Sequence, residues 1–213
     1  MRSRPSSRAA VTAGALILVS ASTAAAEPAA AQTNAKIAGV GVAKKRLHVR
    51  AGNRVAVVGS VRPGTRGLTA RLQIRRRGRW ATIDRDRTAG SGRYVLRDRR
   101  RHPMSARARV RVRDARHPVG RVNVYRWSYA SWYGPGLYGN PLGCGGTLWP
   151  GRLGVAHKSL PCGSKVWLRH RGRTVRVRVI DRGPYVGGRE YDLTEATAQR
   201  LRFRGHGPIL TTR

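Results

Sequence analysis

The segment VIDRGPYVGGREYDLT, residues 179–194, is where the fold and the chemistry of this chain meet. The strand-like stretch TVRVRVI alternates apolar and basic residues and runs directly into Asp181, which is followed by Gly183 and Pro184. The chain has 44 Lys+Arg against 9 Asp+Glu, yet four of those acids lie between residues 181 and 195. They are candidates for a catalytic site, a ligand contact or turn chemistry.

The residues after this segment predict the one convincing helix of the chain, DLTEATAQRLRF at 192–203. Asp192 or Thr194 would be its N-cap, and Glu195 would sit in the first turn, where the helix dipole favours a carboxylate. We therefore interpret Glu190 as a turn residue and Asp192 as a helix cap, which leaves Asp181 as the acid with a functional role. The alternative for Asp181 is structural, because an aspartate before Gly-Pro can cap its own turn.

Short strands surround the segment. SKVWLRHRGRTVRVRVI predicts a β-hairpin around Arg171-Gly172, with Val175, Val177 and Val179 on one face, and GHGPILTTR predicts a last strand. Aromatic and amide side chains of the glycine-rich stretch WSYASWYGPGLYGN and of the loop after Asp181 are candidates for ligand contacts. These are Trp132, Tyr133, Tyr138, Asn140 and Tyr185. Packing in the core is the alternative for Trp132 and Tyr133, whereas Trp149 is expected on an exposed loop.

The charge and the N-terminus restrict the partners. A formal net charge of +35 on 213 residues concentrates anions, so nucleic acid, anionic cell-surface polymers and acidic membranes are candidates. Residues 1–26 combine early arginines, a short apolar stretch and Ala24-Ala25-Ala26, which is the pattern of a secretory signal peptide. An uncleaved amphipathic anchor is the alternative. We expect residues 27–36 to be a disordered linker, and we expect no later stretch to cross a membrane. Because the pattern indicates export, specific binding of nucleic acid is disfavoured.

Cys144 and Cys162 are the two cysteines of the chain, so one intrachain pairing exists, and export permits it. Two buried thiols are the alternative. Two cysteines are too few for a zinc site, and neither His157 nor His170 has a recognisable zinc spacing. We expect no metal and no cofactor.

Residues 37–124 predict a small β-sandwich, because short alternating strands are separated by turn signals such as RPGTRG, RRGR and AGSG. The succession G-x-V-x-P, an L-Q strand, G-x-W and G-x-Y resembles the immunoglobulin-like or fibronectin-like modules of secreted actinobacterial proteins. That resemblance implies a spacer or adhesion module without catalysis.

Residues 127–213 resemble the RlpA-like double-psi β-barrel domain, on the motifs ASWYGPGLYG, LGVAHKSLPCGSKVWL and VIDRGPYVGGREYDLT in that order. The resemblance implies an all-β fold, a six-stranded barrel with one short helix, and a groove that binds peptidoglycan strands. Related barrels occur in membrane-bound lytic transglycosylases and expansins. The family's active-site aspartate falls on Asp181 and its barrel histidine on His157, while Arg182 would contact substrate, pair with Asp181 or point to solvent.

The chain departs from the family at the segment T-A-N-G-E, whose glutamate position is occupied here by Gly146 within LGCGG. The same segment brings Cys144, which would bridge to Cys162. Two hypotheses follow for a secreted, monomeric protein of the cell wall. The barrel is a lytic transglycosylase in which Asp181 is general acid/base and His157 its partner, or it is a noncatalytic module that binds the wall through its charge and aromatics.

Overall fold

The computed structural model describes residues 38–213, so the predicted signal peptide and linker lie outside the described residues. This part of the chain contains thirteen strands and one helix. The strands are β1 Gly39–Arg46, β2 His48–Arg50, β3 Arg54–Arg62, β4 Thr69–Arg76, β5 Arg79–Arg87, β6 Arg93–Arg99, β7 Met104–Val112, β8 Ala115–Tyr133, β9 Val155–Ala156, β10 Lys165–His170, β11 Arg173–Asp181, β12 Tyr191–Thr194 and β13 Gly207–Thr211, and helix α1 is Glu195–Leu201. The predicted all-β class is confirmed.

Six strands close into a barrel. Their order is β12, β9, β11, β10, β13 and β8, and β8 pairs back with β12 in parallel, which completes the ring. Closure gives each of these six strands a hydrogen-bonded neighbour on both sides. The predicted six-stranded double-psi β-barrel with one short helix is confirmed.

The barrel strands follow the periodicity of the sequence. Val175, Val177 and Val179 are buried on one face of β11. The hairpin between β10 and β11 turns at Arg171 (φ 43°) and Gly172 (φ 85°), and two successive positive φ angles are typical of the tight turns that join twisted antiparallel strands. The hairpin and the final strand are both confirmed.

Helix α1 is shorter than predicted, and its cap differs. Thr194 is the N-cap, and its side chain accepts a hydrogen bond from the Thr197 N–H. Asp192 instead belongs to strand β12. The interpretation of Asp192 as a cap was wrong, because pairing of residues 191–194 with β8 and β9 holds them extended up to the residue before the helix. Glu195 lies in the first turn, as predicted.

The other strands precede the barrel in the chain. A three-stranded sheet, β1-β3-β6, shares a buried apolar core with strands β4, β7 and the first part of β8, and this core is separate from that of the barrel. Strand β8 runs through both regions, since it pairs with β7 up to Val124 and with β13 from Arg126. The assignment of residues 37–124 to an immunoglobulin-like module stays a prediction.

Candidate active site

A β-bulge at the end of β11 determines which face of the sheet carries the Asp181 side chain. Val179 pairs with Val155 and Asp181 pairs with Ala156, so Ile180 is an extra residue on this strand. Strict alternation would turn Asp181 to the same face as buried Val179. The inserted residue reverses the alternation and turns the carboxylate to the opposite face, a role that bulges commonly serve beside functional sites.

A second carboxylate lies in the same row of the sheet. Strand β9 runs between β11 and β12, and Ala156 is the partner of both Asp181 and Asp192. On β8, Ser131 pairs with Asp192 in turn. Residues directly opposite each other present their side chains to one face, so the two aspartates flank the small methyl group of Ala156, with Cα atoms about 10 Å apart.

Three buried polar atoms of this row make no hydrogen bond of good geometry. Within residues 38–213, the buried side-chain polar atoms without a hydrogen bond are Ser131 Oγ, Tyr133 Oη and Asp192 Oδ1. Ser131 and Tyr133 are two residues apart on β8 and therefore share the face that carries Asp192. Ser131 and Asp192, and likewise Tyr133 and Asp181, are still close enough for each pair to affect the pKa of one member through a side-chain hydrogen bond. These polar groups are therefore loosely paired with one another, and the row is a candidate place for a hydrogen-bonding ligand.

Burial and neighbouring negative charges raise the pKa values of Asp192 and Tyr133 in this row. Burial raises the pKa of Asp192; Ser131 and Arg189 oppose this increase, and the negative charge of Asp181 adds to it. Burial also raises the pKa of Tyr133, and Asp181 and Asp192 raise it further. The tyrosine therefore stays a neutral hydroxyl, and Asp192 holds a proton more readily than an exposed aspartate.

Backbone groups and the disulfide fix the position of Asp181. Its Oδ1 accepts hydrogen bonds from the N–H groups of Gly143 (2.7 Å) and Arg182 (2.8 Å). The residue after Gly143 is Cys144, which is bonded to Cys162 with 5.5 Å between the Cα atoms, so the predicted disulfide is confirmed. The covalent link thus holds the loop that positions one oxygen of the candidate catalytic carboxylate.

The side chain of Arg182 supports the neighbouring loop. Its Nη1 donates to the carbonyl oxygens of His157 (3.1 Å) and Leu160 (2.8 Å), and its Nη2 lies 2.9 Å from Cys162 Sγ. These contacts direct the guanidinium to the backbone of the loop after β9. Its predicted contact with substrate stays a prediction.

His157 is buried and contacts a different acid from the one predicted. Its Nδ1 accepts from the N–H groups of Ser159 (3.1 Å) and Leu160 (3.0 Å), which leaves the proton on Nε2, 3.4 Å from Glu190 Oε1. Glu190 is also held by both terminal nitrogens of Arg126 and by Ser128 Oγ at 2.7 Å. The role of His157 as partner of Asp181 stays a prediction. Glu190 is the centre of a hydrogen-bond network that includes an ion pair with Arg126.

Comparison with known proteins agrees with this architecture. Residues 127–210 match the sequence profile of the family described as "Lytic transglycolase". Residues 127–210 form an RlpA-like double-psi β-barrel. The chain is 43% identical over 74 residues to "Endolytic peptidoglycan transglycosylase RlpA" of Campylobacter jejuni, which covers 34% of this chain and 27% of that protein. It is 36% identical over 102 residues to "Probable endolytic peptidoglycan transglycosylase RlpA" of Synechocystis sp., which covers 47% of this chain and 31% of that protein.

The chain thus spans less than a third of the length of these two relatives. Among solved structures, the crystal structure of apo-Clavibacter michiganensis expansin matches with a TM-score of 0.34 and 26% identity, over 41% of this chain and 48% of that chain.

The predicted sugar-binding side chains of the RlpA-like barrel differ in their surroundings. Tyr185 is 82% exposed and Trp132 37% exposed, and Asn140 also lies at the surface. The hydroxyl of Tyr138 donates to Glu195 Oε2, and Tyr133 belongs to the row of Asp192. Trp149 is 54% exposed, as predicted. The role of each in substrate binding stays a prediction.

Gly146, at the position of the family's glutamate, lies in a turn that favours glycine. Its φ is +75°, and a Cβ atom there would come 3.1 Å from Nη1 of Arg152. The place of Asp192 in this row was not predicted, although the alternation in YDLT puts it opposite to buried Tyr191 and Leu193, which is the signal of a strand residue. In residues 38–213 no helix is long and apolar enough to span a membrane, and no cluster of three metal-ligating side chains is present.

Proposed function

We propose that the RlpA-like barrel binds peptidoglycan glycan strands and cleaves them as a lytic transglycosylase. The observation that carries this proposal is the row of buried polar atoms on Ser131, Tyr133 and Asp192, which make no hydrogen bond of good geometry and lie beside Asp181. A glycan strand offers hydroxyl groups and ether oxygens that can satisfy these atoms. The names of the RlpA relatives support peptidoglycan as the substrate.

The two carboxyl groups divide the chemistry. Asp192, whose pKa is raised by burial, donates its proton to the glycosidic oxygen as the C–O bond breaks. The sugar's own C6 hydroxyl then attacks C1, and its proton passes to the carboxylate of Asp181. One bond breaks and one forms without water, so the product carries an anhydro-sugar end. Asp192 has lost a proton and Asp181 has gained one, and exchange with solvent restores both groups before the next turnover.

This division fits the environment of each group. The Gly143 and Arg182 N–H groups hold one oxygen of Asp181, which leaves the other oxygen to face the row. Tyr133, kept neutral by burial and by both acids, can donate a hydrogen bond to a sugar oxygen. Asp192 thereby takes the role of the family's glutamate, whose position in this chain is occupied by Gly146.

The experiment is digestion of purified sacculi by the full chain. Wild-type protein is expected to release soluble muropeptides with anhydro ends, detected by mass spectrometry, and Asp181→Asn is expected to lower release at least about 100-fold, since general acid–base groups contribute about 10²–10⁴-fold. Asp114→Asn is the matched control, because the Asp114 side chain is fully exposed at 100%. Equal release by the wild type and Asp181→Asn would reject the assignment of Asp181.

A second candidate function is noncatalytic binding of the wall, which the glycine at position 146 favours. It predicts that wild-type protein sediments with sacculi and releases no muropeptides. The same digestion therefore separates the two functions.

We further propose that the protein is exported by its N-terminal signal peptide, acts at the cell wall as a monomer and uses residues 37–124 as a β-sandwich spacer. The separate apolar core of that region supports the spacer. Mass spectrometry of secreted protein tests the cleavage site after Ala26. A mature form that still contains residues 1–26 would contradict export by this route.

A further inference from the structure

A cleft lies away from the carboxylate row. It has a volume of about 730 Å³ and lies among strands β7, β8, β10 and β11 and the residues after β13. Its lining includes the basic side chains of Arg107, Arg121, Lys165, Arg176 and Arg213, and no acidic side chain lines it. Such an arrangement concentrates positive potential at one concave surface.

The register of the strands brings these cations together. Arg107 on β7 is directly opposite Arg121 on β8. Like charges directly opposite in a sheet are destabilising. Burial lowers the pKa of Arg121, and the charges of Arg176 and Arg107 lower it further. The fold therefore keeps a repulsive contact that a bound anion would relieve.

Arg121 is held in place for such a contact. Its Nη1 donates to Ser105 Oγ at 3.1 Å, and its guanidinium carbon lies 5.7 Å from the ring centroid of Trp167. Trp167 is itself directly opposite Arg176 in the β10–β11 hairpin. A guanidinium fixed on an aromatic ring loses less conformational freedom when it binds an oxyanion.

We propose that this cleft binds a phosphodiester segment of an anionic cell-wall polymer of the poly(glycerol phosphate) type. Guanidinium groups donate paired hydrogen bonds to phosphate oxygens, and four of them beside one ammonium suit a repeating anion better than a single one. Single-stranded nucleic acid fits less well, because it requires aromatic rings open for base stacking, and the Trp167 ring is already paired with Arg121. The site shares no residue with the Asp181–Asp192 row, so it stands independently of the proposed cleavage.

The test compares two charge-matched double variants of the full chain by calorimetric titration with a poly(glycerol phosphate) oligomer. Arg107→Gln/Arg176→Gln removes two cations of the cleft. Arg85→Gln/Arg87→Gln removes two exposed cations of β5. The cleft variant is expected to bind at least about tenfold more weakly and to lower the slope of log K against log salt by about 2, one per lost phosphate contact, whereas the control changes affinity less than about twofold.

A further measurement separates binding from a structural role. Removal of Arg107 relieves its repulsion with Arg121, so the unliganded cleft variant should melt no lower than the wild type. Equal loss of affinity in both double variants would show diffuse attraction and overturn the site, as would a lower melting temperature of the cleft variant. Tighter binding of single-stranded DNA of equal charge would overturn the polymer class. Sacculus digestion by the cleft variant should match the wild type, so failure of either proposal is recognised separately.

Discussion

Substitution of Gly154 by alanine tests how the bulge at the end of β11 is held. An added Cβ would lie 2.2 Å from Cδ1 and 2.4 Å from Cγ1 of Ile180, the inserted residue that turns Asp181 toward Asp192. Both distances are far inside van der Waals contact, so Ile180 must move. Overpacking of this kind costs about 1–3 kcal/mol, which corresponds to a fall in melting temperature of about 2–12 °C for a chain of this size.

The assay is thermal and denaturant unfolding of Gly154→Ala beside Gly187→Ala. Gly187 has open space around the added methyl group and no positive φ, so its variant should change little. The cost of Gly154→Ala should shrink in an Ile180→Ala background, because the clashing atoms are gone. Equal stability of Gly154→Ala and Gly187→Ala, or an undiminished cost in that background, would refute the reasoning. Gly154→Ala should also slow sacculus digestion, since Asp181 follows Ile180.

Two further predictions concern the groups around the site. Reduction of Cys144–Cys162 should lower the free energy of unfolding by about 3 kcal/mol in denaturant titrations, as expected for a loop with a separation of 18 residues; unchanged stability would contradict this. Burial raises the pKa of Glu190, but the hydrogen bonds from Arg126, Ser128 and His157 outweigh it and leave the folded pKa below the ordinary value. Glu190→Gln should therefore be less stable than the wild type at pH 7, and the difference should disappear as pH falls through the folded-state pKa; a difference that grows on acidification would be inconsistent with this network.

The local sequence pattern predicted the strands and turns whose structure depends on residues close by in the chain. The alternation of Val175, Val177 and Val179 defines a half-buried strand, and Arg171-Gly172 marks the turn before it. The pairing of Cys144 with Cys162 could be predicted because the chain has only two cysteines. The resemblance of the motifs at 127–213 supplied the barrel, which no local pattern specifies.

The carboxylate row could not be predicted in the same way, because it depends on which strands lie side by side. The alternation in TVRVRVI continues to Asp181, and only the register with Ala156 reveals that Ile180 is an inserted residue. Asp192 precedes a helix and has the composition of a cap. Its position beside Ser131 comes from parallel pairing with a strand some 60 residues earlier in the chain, a long-range contact that no local signal encodes.

In the proposed mechanism, Asp192 supplies the second acid, because Gly146 occupies the position of the family's glutamate. The most direct measurement is release of anhydro-muropeptides by Asp192→Asn, measured together with its sedimentation on sacculi. We predict wild-type sedimentation with release reduced at least about 100-fold, since asparagine keeps the shape of the side chain and has no proton to donate to the glycosidic oxygen. Wild-type release by Asp192→Asn would contradict the claim.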